Sequence, residues 1–224
     1  MENALNKEEL NDVFLDVRKS YRLLYLYQRR VMDLVAFIGR YYGFSYVQGR
    51  SEFSSAKEPK KLKLDNWAWD MLGMYCFTFQ FSTKDFGDYK DVELLVLLVS
   101  DTGFYDNKDN VYGDEVHIEK FEDVNKSTTQ LHLLLKTNNK DWKCYDSVIN
   151  ASSPNFEGKF DTDDFLIGKK YDLADFMNEA STLEQLKDFE DVENFKNDKN
   201  YDKFNGFAGF CRKNGIVLFP KVKS

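Results

Sequence analysis

Asp91 and Glu93 open the most apolar segment of the chain and Asp101 closes it, while Asp70 stands ahead of the aromatic segment before it. Two or three carboxylates that converge on Mg²⁺ or Mn²⁺ let the ion activate water against a phosphodiester. Nucleases of this kind often add a lysine two positions after an acid. Asp88-x-Lys90, Asp141-x-Lys143 and Glu157-x-Lys159 have that spacing, but none lies within an apolar segment. Asp91 and Asp101 are ten residues apart, about 33 Å at roughly 3.3 Å per extended residue, so they share an ion only if the strand bends. A metal-dependent nuclease or phosphoesterase using Asp101, Glu93 and Asp91 with Mg or Mn is therefore the second functional reading, behind ordinary turn and surface carboxylates.

Asp101-Thr102-Gly103 has a separate chemical interpretation. Aspartic proteases set such a triplet after an apolar strand, where two carboxylates share a proton and activate water. The triplet occurs once in 224 residues, so a symmetric homodimer would be required, and the charged segment after it is unlike a protease flap. The same residue types are ordinary turn formers, which is the preferred reading.

Cys76 and His132 fall on neighbouring expected strands, but a small buried cysteine beside a satisfied histidine is commoner than a catalytic pair. With two histidines and three widely spaced cysteines, Cys76, Cys144 and Cys211, the chain offers neither a zinc site nor a disulfide framework. It has no glycine-rich phosphate loop, dinucleotide fingerprint or His-x-x-x-His pair.

The elements that would position these groups start with a long helix over residues 7–42. Leu10, Phe14, Val17, Tyr21, Leu24, Gln28, Val31, Val35, Ile38 and Tyr42 follow at alternating steps of four and three, one stripe of an α-helix. Asn6 and Glu9 form an expected capping box, and Gly39 and Gly43 mark the end. Val13, Tyr27, Leu34, Tyr41, Tyr25 and Met32 beside the stripe are apolar rather than charged. A two-stranded coiled coil would want complementary charges there, so the expectation is a helix buried in its own domain, with a homodimer through this helix as the alternative.

Away from the apolar arc, Arg18, Arg22, Arg29 and Arg40 fall within a sector of about 40° at 100° per residue. A solvated or internally paired face is the plain reading, and a docking ridge for phosphates or an acidic partner the sharper one. Trp67 and Trp69, after an Asp65 cap, are expected to plug a corner of the core, with an exposed aromatic binding surface as the alternative.

From Tyr46 to Lys63 the chain is polar and lysine-rich, and a loop or ragged hairpin is expected. Tyr75, Phe77, Phe79 and Phe81 alternate with polar residues as a half-buried strand does. Val92 to Ser100 contains Leu94-Leu95-Val96-Leu97-Leu98-Val99, a strand apolar on both faces that belongs in mid-sheet. Val116 to Glu119 is a possible short strand, and Leu131, Leu133 and Leu135 mark a firmer one. Thr137 to Lys170 reads as turn-rich and acidic. A helix is expected near Asp172, and Ser181-Thr182-Leu183-Glu184 as a capping box for another, with Leu183, Leu186, Phe189, Val192 and Phe195 inward. Phe204, Phe207 and Phe210 follow, then a possible last strand over Ile216 to Phe219.

These elements give a single α+β domain over 1–224: the N-terminal helix 7–42, a sheet-rich middle 65–150 and a helical C-terminal third 171–224. A mostly antiparallel sheet of about four to six strands would pack on the N-terminal and C-terminal helices. An apolar content of 42% with 20 Phe and 13 Tyr supports a folded core. The longest apolar run is far too short for a membrane span, and Met1 to Leu10 lacks a secretory pattern, so a cytoplasmic protein is expected.

The net charge of −7 is unevenly spread: residues 1–64 carry +4, 84–123 carry −8, 157–198 carry −8 and 199–224 carry +5. Nucleic acid is an unlikely partner, since the domain as a whole is not basic. The leading expectation is a non-enzymatic protein-binding or regulatory protein, such as an accessory subunit, inhibitor or immunity-type protein. The bias toward Asn, Lys, Asp, Tyr and Phe suits a bacterial or phage source.

Overall fold

Asn6 begins the first helix as its spacing requires. Its Oδ1 accepts from the backbone amides of Glu8 and Glu9 at 2.9 and 3.1 Å, and Glu9 Oε2 accepts from the Asn6 amide at 2.8 Å. Helix α1 then runs over Lys7–Tyr41. It ends where Gly43 takes φ 69°, a left-handed conformation that costs a residue without Cβ little.

The computed structural model describes residues 6–51, 76–83, 92–103, 121–137, 155–161 and 164–190. After α1 come β1 (Ser45–Ser51), β2 (Cys76–Thr83), β3 (Val92–Val99), β4 (Gln130–Thr137), β5 (Asn155–Asp161) and β6 (Asp164–Asp172). A 3-10 turn, Leu173–Phe176, leads into helix α2, Glu179–Glu190. The strands form one sheet in the order β1-β2-β3-β4-β6-β5, with every neighbouring pair antiparallel. The architecture is α+β.

Alternation places the aromatic side of β2 on the same sheet face as alternate residues of β3 and β4. Phe77, Leu98 and Leu131 stand side by side, as do Phe79, Val96 and Leu133, and Phe81, Leu94 and Leu135. This face packs against Val31, Met32, Val35 and Ile38 of α1, against Tyr42 just beyond its end, and against Phe176, Leu186 and Phe189 from the C-terminal elements. β3 is buried at every position from Val92 to Val99, as expected of a mid-sheet strand apolar on both sides. Gly39 lets α1 lie close to the sheet, since a Cβ there would overlap the Phe81 ring.

Three polar ties close the corner. Tyr42 Oη donates to the Leu186 carbonyl at 3.2 Å, an Arg30 guanidinium nitrogen to the carbonyls of Phe176 and Met177 at 3.0 and 3.1 Å, and Tyr171 Oη to Asp188 Oδ2 at 2.8 Å.

The structure corrects four sequence expectations. The loop or ragged hairpin expected from Tyr46 to Lys63 begins instead as strand β1, a polar edge strand that pairs with β2, with a register shift between Tyr46 and Gln48. The turn-rich reading of Thr137 to Lys170 gives way to the β5–β6 hairpin, whose acidic, glycine-containing strands carry little apolar alternation. The capping box of α2 lies three residues earlier than expected: Ser181 N donates to Asn178 Oδ1 at 3.0 Å and Asn178 N to Ser181 Oγ at 3.1 Å. Fourth, α1 is buried over only part of its length. The segments expected over Asp65–Leu72, Val116–Glu119, Phe204–Phe210 and Ile216–Phe219 lie outside the described residues, as do Val192 and Phe195.

Candidate protein-binding surface

The buried residues of α1 begin at Gln28 and continue through Val31, Met32, Leu34, Val35, Ile38 and Gly39. Upstream, the same i, i+3, i+4 stripe runs on through Leu24, Tyr21, Val17, Phe14 and Leu10 and is exposed: Phe14 is 53% and Tyr21 64% exposed. Ten of the thirteen exposed large hydrophobics among the described residues lie between Leu10 and Leu26. The stripe therefore outruns the sheet. The first twenty or so residues of α1 form an arm about 30 Å long at roughly 1.5 Å per residue. Leu15, Leu23 and Leu26 widen its apolar surface beyond the stripe itself. Contiguous exposed apolar surfaces of this extent are uncommon on monomeric proteins.

The arm leaves the body where Tyr27 Oη and Ser100 Oγ meet at 3.4 Å, at the end of β3. Burial raises the Tyr27 pKa against the opposing pull of that hydrogen bond, so the phenol stays protonated. Beside it, Tyr27, Gln28, Val31, Met32, Phe77, Phe79 and Leu98 line a small open recess. Gln28, the only polar member of the stripe, is 8% exposed and lines this recess.

Arg18, Arg22, Arg29 and Arg40 are exposed, and none makes an ion pair or hydrogen bond with a described residue. Acidic residues occupy the other end of the arm: Glu8, Glu9, Asp12 and Asp16, with Asp16 paired to Lys19 at 2.9 Å. The arm thus runs from acidic to basic along its axis.

The groups suspected of chemistry are spread apart. Asp101 Oδ1 accepts the Gly103 amide at 2.9 Å, while Thr102 and Thr128 exchange two hydrogen bonds at 3.0 and 2.9 Å. The triplet thereby ties the end of β3 to the approach to β4. Glu93 lies at the other end of β3, buried, and accepts from Gln80 Nε2 at 3.0 Å. Glu93 and Asp101 are eight residue steps apart along a strand paired as far as Val99, about 26 Å at roughly 3.3 Å per residue. Asp91, Asp70, Trp67 and Trp69 lie outside the described residues.

Cys76 and His132 are both buried on the second face of the sheet, but β3 lies between their strands: His132 of β4 pairs with Leu97, and Cys76 of β2 with Val99, two residues along. His132 Nε2 pairs with Gln130 Oε1 at 3.0 Å, and its Nδ1 has no partner. Burial, reinforced by the charge of Lys170, drives its pKa down to about 3, so the ring is neutral. It was visible in the sequence only as a histidine alternating with leucines.

The overhang could not be read from the sequence, because the stripe is equally apolar on both sides of Gln28. Only the position of the sheet divides it.

No helix among the described residues is long and apolar enough to cross a membrane. No curated protein and no solved structure matches the chain. One family, described as PM0109, matches residues 7–198, a span that takes in α1, the whole sheet and α2. The chain belongs to the PM0109 family.

Proposed function

We propose that this chain is a non-enzymatic protein-binding or regulatory protein, of the accessory-subunit, inhibitor or immunity type, and that it docks through the uncovered half of α1. One observation carries the reading: a stripe that forms the core over its second half stays exposed over its first, with Phe14 at 53% and Tyr21 at 64%. A helix with apolar side chains on most of its circumference is stable in water only when something covers it. Arg18, Arg22 and Arg29, unpaired among the described residues, lie on the same arm away from the stripe and would add long-range, salt-sensitive steering toward an acidic surface. Arg40, on the buried half, and Trp67 and Trp69 are secondary candidates. The cytoplasm suits this reading, in keeping with Cys76 as a buried free thiol.

The test is capture of binding proteins from the source cell by the wild type and by Phe14→Glu and Leu24→Glu. The reading expects both variants to remain folded and to lose the captured species, with Arg22→Glu weakening capture most at low salt. Equal recovery by wild type and both arm variants would contradict it.

A further inference from the structure

Resting on that reading of the arm as a docking surface, we infer that its occupant is the arm of a second copy of this chain, lying antiparallel. The orientation follows from where the sheet sits. The exposed stripe and the sheet share one face of α1, since Leu10 to Leu24 continue without a phase change into Gln28, Val31 and Val35. A parallel copy on that face would carry its own sheet to the same level on the same side, and two bodies would claim one space. An antiparallel copy brings only its helix start toward the sheet.

The length agrees with this arrangement. Pairing the levels so that Leu10 meets Gln28, Phe14 meets Leu24 and Val17 meets Tyr21 covers the exposed stripe of both copies at once. Lys7, the first residue of the helix, then reaches the level of Val31, where the sheet begins to cover α1. Leu10 arrives over the recess that Gln28 lines. Antiparallel pairing sets positions of one heptad phase against those of the other, and this register keeps that pattern along the whole overlap.

The charges favour the same arrangement. In this register the acidic start of one arm, Glu8 and Glu9, lies at the axial level of Arg29 and Arg30 of the second copy, and Asp16 at that of Arg22; these groups stand off the contacting stripe, so their attraction is long-range and weakened by salt. Parallel arms would set the acidic ends side by side and the basic ends side by side, which is repulsive at both.

The experiment is light scattering of the purified full chain over a range of concentrations, with a spin-label distance in the associated form. The mass should rise to twice the 26.3 kDa of the chain. Phe14→Glu and Val17→Glu should both stay at a single chain mass while giving the unfolding curve of the wild type diluted to monomer. A nitroxide on Lys7→Cys, with Cys144 and Cys211 replaced by serine, should report a separation of about 36 Å between copies, twenty-four residues at roughly 1.5 Å each. A parallel pair would bring the labels to about 10 Å, the distance between packed helices, and would overturn the inference. A single chain mass at every concentration would overturn it as well. If such a monomer still captures another protein that Phe14→Glu loses, self-pairing fails while the docking reading stands; if it captures nothing through the arm, both fail.

Discussion

Tyr27 and Ser100 meet hydroxyl to hydroxyl at 3.4 Å, and their meeting fixes the level at which α1 runs past the end of β3. On one side of it the helix stripe is core; on the other it is surface. That boundary determines how each half of α1 should respond to substitution.

Ile38 is fully buried, while Leu23 on the arm is 68% exposed. Ile38→Ala should lower the unfolding free energy by about 2–5 kcal/mol, the range for large-to-small changes in a packed core. Leu23→Ala, read on dilute monomer, should stay within about 0.5 kcal/mol. Urea denaturation of the two variants checks the contrast, and comparable losses would mean that the body covers the arm.

The same boundary shows what the sequence could convey. The Asn6–Glu9 cap, the aromatic alternation of Phe77, Phe79 and Phe81 and the unbroken apolar run of β3 are local signals, and each produced the element expected. β1 and the β5–β6 hairpin were missed because edge positions do not demand an apolar alternation: Gln48 answers Gln80 across β1–β2, and Gly158 faces Leu166 across β5–β6. The Arg18, Arg22 and Arg29 row was legible as a helix face, but its lack of partners depends on tertiary structure. The exposed half of the stripe was read as buried for the same reason: periodicity identifies a face and says nothing of what covers it.

Gly39→Ala sets two effects against each other. Alanine is the better helix former by about 1 kcal/mol. The added methyl, however, would overlap the ring of Phe81, itself fully buried in the core. Overpacking of a tight core costs about 1–3 kcal/mol, so the variant should be destabilised by up to about 2 kcal/mol net. A higher midpoint in thermal unfolding would show that α1 sits farther from β2 than described.

His132 should make the fold acid-sensitive. Its folded pKa, about 3, lies below the usual value near 6.5 because the ring is buried and Lys170 adds positive charge. Below pH 6.5 the unfolded chain takes up a proton that the folded chain refuses. The contribution of the neutral ring is therefore intact above about 6.5 and is lost as pH falls toward 3, by at most about 1.4 kcal/mol per pH unit. Between pH 7 and 5 the wild type should lose about 2 kcal/mol more than His132→Leu in urea titrations. Equal losses would show that the ring can take up a proton in the folded state.

The most direct measurement of the central claim is backbone hydrogen exchange along α1, followed by mass spectrometry on dilute and on concentrated protein. An uncovered helix of about twenty residues is marginal in water and opens readily. In dilute protein the amides of residues 10–26 should exchange much faster than those of 31–41, and concentration should protect the first group selectively. Uniform protection from residue 10 to residue 41 in dilute protein would contradict the account, because the body of the chain would then already cover the arm.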